Sequence, residues 1–134
     1  PNYTIAKIEN PVGCLFKLWI TPNDGEVPTF EAGQFVQMGV TQGDETPQKE
    51  ANSYTIAGVQ DGALEFYIVA VPDGDVSQKL ATAKVGDSLW VKPKIAGKFV
   101  LSDAPDMSRL LLVGSGTGIA SIVAMTRQEE EKIM

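Results

Sequence analysis

Most of the chain alternates apolar and polar residues with the period of β-strands. Tyr3–Ile8 alternates in this way, and Leu15–Thr21 is a second run, rich in aromatic and β-branched residues. The turn pair Asp61-Gly62 between two apolar runs is typical of a hairpin. The further predicted strands are Gln34–Val40, Ser53–Ala57, Leu64–Val71 and Ser88–Val91, with Gly97–Leu101 as a candidate seventh.

One segment between these strands has helical spacing. Val76, Leu80 and Ala83 lie at intervals that put them on one face of a helix. Asp75, followed three residues later by Gln78, predicts an N-cap box at its start. Six or seven short strands with one helix predict a mainly β fold, an antiparallel barrel or sandwich.

The pattern changes near the end of the chain. Leu110–Val113 is a continuous apolar run, typical of a strand buried on both faces of a parallel sheet. It leads through a glycine-rich turn into a helix that begins at Ile119. Because a parallel strand needs a neighbour, this β-turn-α segment predicts an incomplete second domain. We expect the domains to be residues 1–104 and 105–134.

Composition and charge exclude several kinds of site. The 134 residues include 11 Lys and Arg against 17 Asp and Glu, so binding to nucleic acid, which needs basic surface, is not expected. With no histidine and a single cysteine, Cys14, the chain lacks the commonest metal ligands and the commonest general base, and we expect no metal site. Any chemistry is therefore expected to come from a bound organic cofactor.

Targeting patterns are also missing from the sequence. No run approaches the roughly 20 apolar residues of a membrane helix. The first residues show no basic-then-apolar signal peptide. We therefore expect a cytoplasmic protein with no membrane partner.

Gly114, Gly116 and Gly118 form the first candidate binding feature. A strand followed by Gly-x-Gly and a helix brings backbone N–H groups and a helix N-terminus close to a phosphate. Isoleucine stands at position 119, where the dinucleotide fingerprint has a third glycine. A plain structural turn is the alternative interpretation.

Two other features are candidates of a less specific kind. Tyr54 beside Thr55 on a strand could stack on a flat ring and hydrogen-bond its edge, although an ordinary strand pair is the simpler interpretation. Ser77 at a helix start could donate to a phosphate or simply cap the helix.

The order of the motifs is more specific than any one of them. The chain carries GQF at 33–35, SYTIA at 53–57, LEFYIVAVPDG at 64–74, VGD at 85–87, AGKFVL at 96–101 and GTGIA at 116–120. In this order they resemble the bacterial ferredoxin (flavodoxin)–NADP⁺ reductases over essentially the whole chain. The resemblance implies an antiparallel FAD-binding barrel followed by the first strand, turn and helix of an NADP-binding domain.

The resemblance also implies which residues contact FAD. Tyr54 falls on a tyrosine that packs on the isoalloxazine, and Thr55 on a serine near the flavin N5. Thr117 falls on a threonine close to flavin and nicotinamide, so these three are the expected catalytic positions. The other implied contacts lie on the same strand, on the next strand and at the helix start: Asn52, Ser53, Tyr67, Ile68, Val69, Asp75, Val76 and Ser77.

Two positions depart from the family pattern on the side of the FAD pyrophosphate. Asn52 stands where the family has an arginine, and Asp75 where a neutral or basic residue is common. One change removes a charge-assisted contact and the other adds a carboxylate near phosphate. We therefore expect FAD to bind but to be lost more easily, with Lys98 as a partial compensation.

The activity implied by the resemblance is flavin-dependent oxidoreduction. Hydride would pass from NADPH to FAD, and single electrons would then pass to a ferredoxin or flavodoxin-like carrier. Cys14 is expected to be a small buried residue without a catalytic role. Because the Leu110–Val113 strand has no neighbour in the sequence, we expect self-association or a partner chain that completes the second domain.

Two other functions stay open at this point. The chain could be a non-catalytic FAD-binding electron-transfer module, or a fragment that needs a partner, because its pyridine-nucleotide site is incomplete. It could also be a cofactor-free interaction domain, for which Asn52 and Asp75 are the best argument.

Overall fold

The computed structural model of the chain describes residues 2–40, 51–103 and 111–133. Leu110 and the predicted domain boundary at 104 and 105 lie outside the described residues. The strands are β1 (Tyr3–Val12), β2 (Leu15–Pro22), β3 (Phe35–Gly39), β4 (Asn52–Gln60), β5 (Ala63–Val69) and β6 (Ser88–Val91). The helices are α1 (Asp75–Thr82) and α2 (Ile119–Ile133), with single 3-10 turns at Leu101–Asp103 and Gly116–Gly118.

The six strands close into an antiparallel barrel in the order β1-β2-β5-β4-β3-β6. The β4–β5 connection is the tight turn predicted from Asp61-Gly62, with φ of 52° and 77° at these two residues. Both ends of the sheet meet at β6, which pairs with β1 and with β3. Closure pairs the sheet edges with each other. The prediction of an antiparallel barrel is confirmed.

Alternate residues of the strands fill the barrel interior. Leu18 lies opposite Phe66 and Ile20 opposite Leu64 across the β2–β5 pair, and all four are fully buried. Burial of a side chain of this size contributes about 1.5–3 kcal/mol. The other side chains in the same cluster with almost no exposure are Ile5, Val36, Met38, Ile56, Ile68, Leu80 and Leu89.

The predicted seventh strand at Gly97–Leu101 does not form. Ala96, just before it, makes one isolated antiparallel bridge to Phe35. Residues 97–100 have no strand structure, and a 3-10 turn begins at Leu101. The barrel is already closed through β6, so no free edge is available for a further strand to pair with.

The predicted parallel strand does not form either in the part that the structure describes. Residues 111–115 have no regular secondary structure, and the side chains of Leu111 and Val113 are 87% and 84% exposed rather than buried. The physical reason is that a parallel strand is held only by hydrogen bonds to a neighbour. No strand of the described residues pairs with this run.

The start of α1 differs from the predicted capping box. Gly74, rather than Asp75, is the N-cap, and no side chain caps it. The Ser77 hydroxyl accepts from the Val71 amide at 3.0 Å, and Gln78 Nε2 donates to the Val71 carbonyl at 2.8 Å. These two side chains therefore pair with the main-chain N–H and C=O of Val71, just after β5, and not with the unpaired N–H groups at the start of α1. They can do so because the chain at Val71 folds back over the first turn of the helix.

Cys14 is exposed, so the prediction that it is buried was wrong. It lies in the turn between β1 and β2, where Gly13 has φ of 51°. Tight turns run over the surface of a domain, and this one leaves the Cys14 side chain in solvent.

Helix α2 packs on the outside of the barrel against β4. Ala124 and Met125 of α2 are buried with Ala32, and the Ala32 amide donates to Gln128 Oε1 at 3.3 Å. Among the described residues, neither helix combines the length and the apolar character that crossing a membrane requires.

Gly33 supports this packing because a side chain there would have no space. Its φ is +104°, and an added Cβ would lie 1.7 Å from the Phe99 carbonyl oxygen and 3.1 Å from Met125 Cε. We expect Gly33→Ala to lower the free energy of unfolding by about 3 kcal/mol or more, because the obstacle is backbone. Urea denaturation measures the loss.

Gly25→Ala is the matched control for this prediction. Gly25 also has a positive φ, +82°, but nothing lies within 4 Å of its added Cβ. In the control the free energy of unfolding should fall by only about 1–2 kcal/mol, which is the cost of a positive φ at a residue with a Cβ. Equal losses in the two variants would contradict the close packing at Gly33.

Candidate functional site

The residues singled out on β4 and β5 lie at one end of the barrel. Residues 52–55 begin β4, and residues 67–69 end β5. The two strands are antiparallel neighbours, with Ile56 opposite Phe66, so the start of one lies beside the end of the other. α1 follows β5 after a short turn and therefore begins at the same end.

Tyr54 presents a flat, half-buried ring at this end of the barrel. It packs against the edge of the barrel core and lies opposite Val36 of β3. Burial raises the pKa of Tyr54 above its ordinary value of 10.0, and a hydrogen bond with the Asn52 side chain lowers it by less. The phenol is therefore neutral at physiological pH and can donate a hydrogen bond.

Thr55 lies on the opposite face of β4 from Tyr54, because side chains alternate along a strand. It is half-buried and pairs with Phe35 of β3, whereas Asn52 and Ser53 are exposed. The start of β4 thus offers a ring on one face and a hydroxyl on the other.

The end of β5 offers two partly buried residues. Ile68 between them is completely buried, main chain and side chain alike. Tyr67 and Val69 are half-buried, and Lys17 Nζ lies 5.5 Å from the centroid of the Tyr67 ring. The pKa of Tyr67 is raised mainly by burial and next by the charge of Glu65, while the Arg127 charge opposes the shift.

The glycine-rich turn comes close to β5. Cα atoms of Gly116–Gly118 lie within 8 Å of Cα atoms of β5, and the turn leads directly into α2. Thr117 is exposed, and an added Cβ at Gly118 would meet nothing. Gly114 is tighter, since its added Cβ would lie 2.6 Å from Ile122 Cδ1. The turn therefore leaves Thr117 open beside β5.

The start of α1 exposes one of its three candidate side chains. Val76 and Ser77 are both only 3% exposed, and the Ser77 hydroxyl already serves Val71. The Asp75 carboxylate is exposed and forms an ion pair with Lys79 at 3.3 Å. A ligand at this position would therefore meet the Asp75 carboxylate and the first backbone N–H groups of the helix, which have no partner inside the helix.

Sequence reasoning missed the pair formed by Glu65 and Arg127. The Glu65 side chain is 3% exposed, and Arg127 Nη1 donates to its Oε2. The same nitrogen donates to the Ala57 carbonyl at 3.4 Å. The hydrogen bond to Glu65 is the main cause that raises the pKa of Arg127. A signal was present, because Glu65 is the one charged residue in an apolar run that predicts a fully buried strand.

The three tyrosines of the chain share one testable property. Tyr3, Tyr54 and Tyr67 all have a pKa raised above 10.0 mainly by burial. The unfolded chain therefore loses these protons first, so their contribution to stability is complete below pH 10 and is lost as the pH rises through the folded pKa values. Phenolate absorbance of the folded protein should appear only above pH 10.

Tyr54→Phe isolates one of these groups. It should remove one titrating phenol and reduce the loss of stability at alkaline pH, with little effect at neutral pH. Titration of the folded protein at or below the ordinary phenol value would contradict the burial of these rings.

Comparison with known proteins identifies the family. The family model described as the oxidoreductase FAD-binding domain matches residues 14–100. A flavodoxin/ferredoxin–NADP reductase of Shigella flexneri is 36% identical over 121 residues, covering 90% of this chain and 47% of the relative. The enzyme of the same name from Rhodobacter capsulatus is 31% identical over 128 residues, covering 95% of this chain and 46% of the relative. The chain thus spans about half the length of these relatives.

A solved structure shares the fold. The ferredoxin NADP⁺ reductase from Neisseria gonorrhoeae, solved with bound FAD and NADP, superposes with a TM-score of 0.84 at 22% identity. The match covers 99% of this chain and 52% of that one. The barrel, its strand order and the family model agree, and the chain belongs to the oxidoreductase FAD-binding domain family.

Proposed function

We propose that this chain is the FAD-binding part of a flavin-dependent oxidoreductase of the flavodoxin/ferredoxin–NADP reductase type. Such an enzyme takes hydride from NADPH and passes single electrons to an iron–sulfur or flavin carrier. The observation that supports this most is that β4, β5 and the glycine-rich turn are neighbours. Tyr54 and Thr55 lie on β4 and Thr117 on the turn, and β5 adjoins both elements.

The side chains and backbone at this end suit an isoalloxazine ring. Tyr54 offers a half-buried flat surface, and a ring stacked on it gains about 0.5–1.5 kcal/mol beyond the area buried. Thr55, on the other face of the same strand, supplies a hydroxyl at the edge of this surface, and the partly buried Tyr67 and Val69 supply further donors and acceptors from their backbone. When bound, FAD supplies the hydride and one-electron chemistry that the side chains cannot.

The pyrophosphate would lie at the start of α1. Its first backbone N–H groups and the positive end of the helix favour a phosphate there. Asn52 contributes no charge, and the exposed Asp75 carboxylate repels the phosphates. FAD is therefore proposed to bind weakly, and the positive charge of the exposed Lys98 is proposed to offset part of this loss of affinity.

The turn with Gly114, Gly116 and Gly118 is the proposed site of the nicotinamide nucleotide. Leu111 and Val113 before it are highly exposed, which is unfavourable for a pair of large apolar side chains. We propose that further protein covers them, either a partner chain or a second copy. A mass in light scattering that rises with concentration would indicate the second copy.

A second candidate function is a non-catalytic FAD module for electron transfer. It is favoured by the irregular backbone of residues 111–115, because the strand that normally carries such a turn is not formed here. Anaerobic mixing of the FAD-loaded chain with NADPH distinguishes the two. Bleaching of the flavin supports the reductase, and a flavin that stays oxidised supports the module.

Asn52→Arg tests the proposed FAD site from the phosphate side. Restoring a charge-assisted contact is worth roughly 1.5–3 kcal/mol, so the Kd for FAD should fall about 10- to 100-fold. Titration of the apoprotein with FAD, followed by flavin fluorescence, measures it. Gln60→Arg adds the same charge at the exposed far end of β4 and should tighten binding far less. Equal affinities for the two variants would refute the assignment of position 52.

Tyr54→Ala tests the proposed stacking contact. Loss of the ring should weaken FAD by about tenfold or more and relieve the quenching of flavin fluorescence that stacking causes. Tyr54→Phe is the control, because it keeps the flat ring and removes only the hydroxyl, so it should bind FAD nearly as well as the parent. If the chain shows no bound-flavin absorbance at saturating FAD, both candidate functions are refuted. The cofactor-free interaction domain is then the remaining hypothesis.

A further inference from the structure

A buried carboxylate on the outer face of the barrel is held by one guanidinium from α2. Glu65 lies between Leu64 and Phe66, which point into the core, and its own side chain points outward. That side chain is nevertheless 3% exposed, because Arg127 of α2 covers it. Arg127 itself stays 46% exposed.

The guanidinium joins three elements at this point. Arg127 Nη1 donates to Glu65 of β5 and, at 3.4 Å, to the carbonyl of Ala57 in β4. The register shifts between Ile56 and Gly58, and an added Cβ at Gly58 would lie 2.7 Å from Arg127 Nη1. Both charged side chains of this pair also act on the pKa of the neighbouring Tyr67. β4 thus has a register shift and a glycine at the place where the guanidinium lies.

Among the side chains of α2 that the structure describes, which end at Gln128, the remaining contacts have little directional preference. Ala124 and Met125 pack on Ala32, and apolar surfaces of this kind can slide with small cost. A hydrogen-bonded ion pair has a fixed geometry. Arg127 therefore supplies the contact that fixes α2 along and around its axis, with the amide contact of Gln128 to Ala32 as the nearest support.

We propose that Arg127 is a positioning residue, whose pairing with Glu65 sets the distance between the glycine-rich turn and β5. Arg127 lies eight residues after Ile119, where α2 begins, so about 12 Å of stiff helix separates it from the turn. A shift of the helix at Arg127 therefore moves the turn. The consequence for flavin rests on the proposed function, because the turn lies beside the strand where the ring is expected.

The alternative is that Arg127 only neutralises a buried charge. Removing one partner of a buried pair is strongly destabilising, but replacing both with apolar residues of similar volume is often neutral. The double variant Glu65→Leu/Arg127→Met separates the two roles. Neutralisation alone predicts that the double variant recovers both stability and the position of the turn, whereas positioning predicts that only stability recovers.

The experiment measures the distance from the barrel to the turn in the full chain without FAD. Cys14, exposed at the β1–β2 turn, and Ser115→Cys, an exposed turn position, carry spin labels for pulsed electron resonance. We expect one narrow distance in the parent. Arg127→Met should broaden or shift it and raise the unfolding equilibrium constant by roughly two to three decades. The double variant should regain the parent's unfolding midpoint and keep the altered distance.

Two further variants keep the test decisive if Arg127→Met does not fold. Arg127→Lys keeps a positive charge beside Glu65 but loses the planar guanidinium that also contacts the Ala57 carbonyl, so it should alter the distance as well. Glu9→Gln breaks an exposed ion pair with Lys7 and should leave both distance and stability unchanged. A parent-like distance in the double variant or in Arg127→Lys would overturn the proposal.

Flavin provides an independent second measurement. With FAD bound, the double variant should show a shifted visible spectrum of the flavin, because the turn no longer lies at its set distance from β5. An altered label distance with an unchanged flavin spectrum would overturn the flavin part alone. Absence of FAD binding by the parent would instead refute the proposed function and leave the distance measurements valid.

Discussion

The position of the α2 helix against β4 is the contact on which the candidate site depends. The barrel closes by itself and supplies Tyr54, Thr55 and the end of β5. The glycine-rich turn, however, belongs to the segment that leads into α2, and it lies beside β5 only while α2 is packed on the barrel. Two glycines allow this packing because they have no side chain. Phe99 and Met125 lie against Gly33, and the guanidinium of Arg127 lies against Gly58.

Chemistry and composition agree in this arrangement. A chain without histidine and with an exposed lone cysteine has few side chains that can do redox or acid–base work. What it does have at one end of the barrel is a neutral, half-buried phenol and a hydroxyl on the next residue. In the proposed site these groups bind and orient a flat conjugated ring, and they leave the electron chemistry to it.

Local signals in the sequence were sufficient for most strands and for the first helix, whereas the choice of a barrel over a sandwich came from the resemblance to a family. Strand alternation, the Asp61-Gly62 turn and the spacing of Val76 and Leu80 are properties of neighbouring residues, and the structure has each of them. The Glu65–Arg127 pair joins residues 62 apart, and no periodicity reveals such a contact. The strand predicted before the glycine-rich turn does not form for a related reason. An apolar run shows that a segment can become a buried strand, but it does not show whether a partner strand is present to pair with it.

The central claim is that one ligand, FAD, contacts the start of β4, the end of β5 and the glycine-rich turn together. Hydrogen exchange of the backbone amides with and without FAD tests this most directly, because each segment reports separately. The account predicts that FAD slows exchange at residues 52–55, 67–69 and 116–118 in the same titration. Protection confined to other parts of the barrel, or to one of these segments alone, would contradict it.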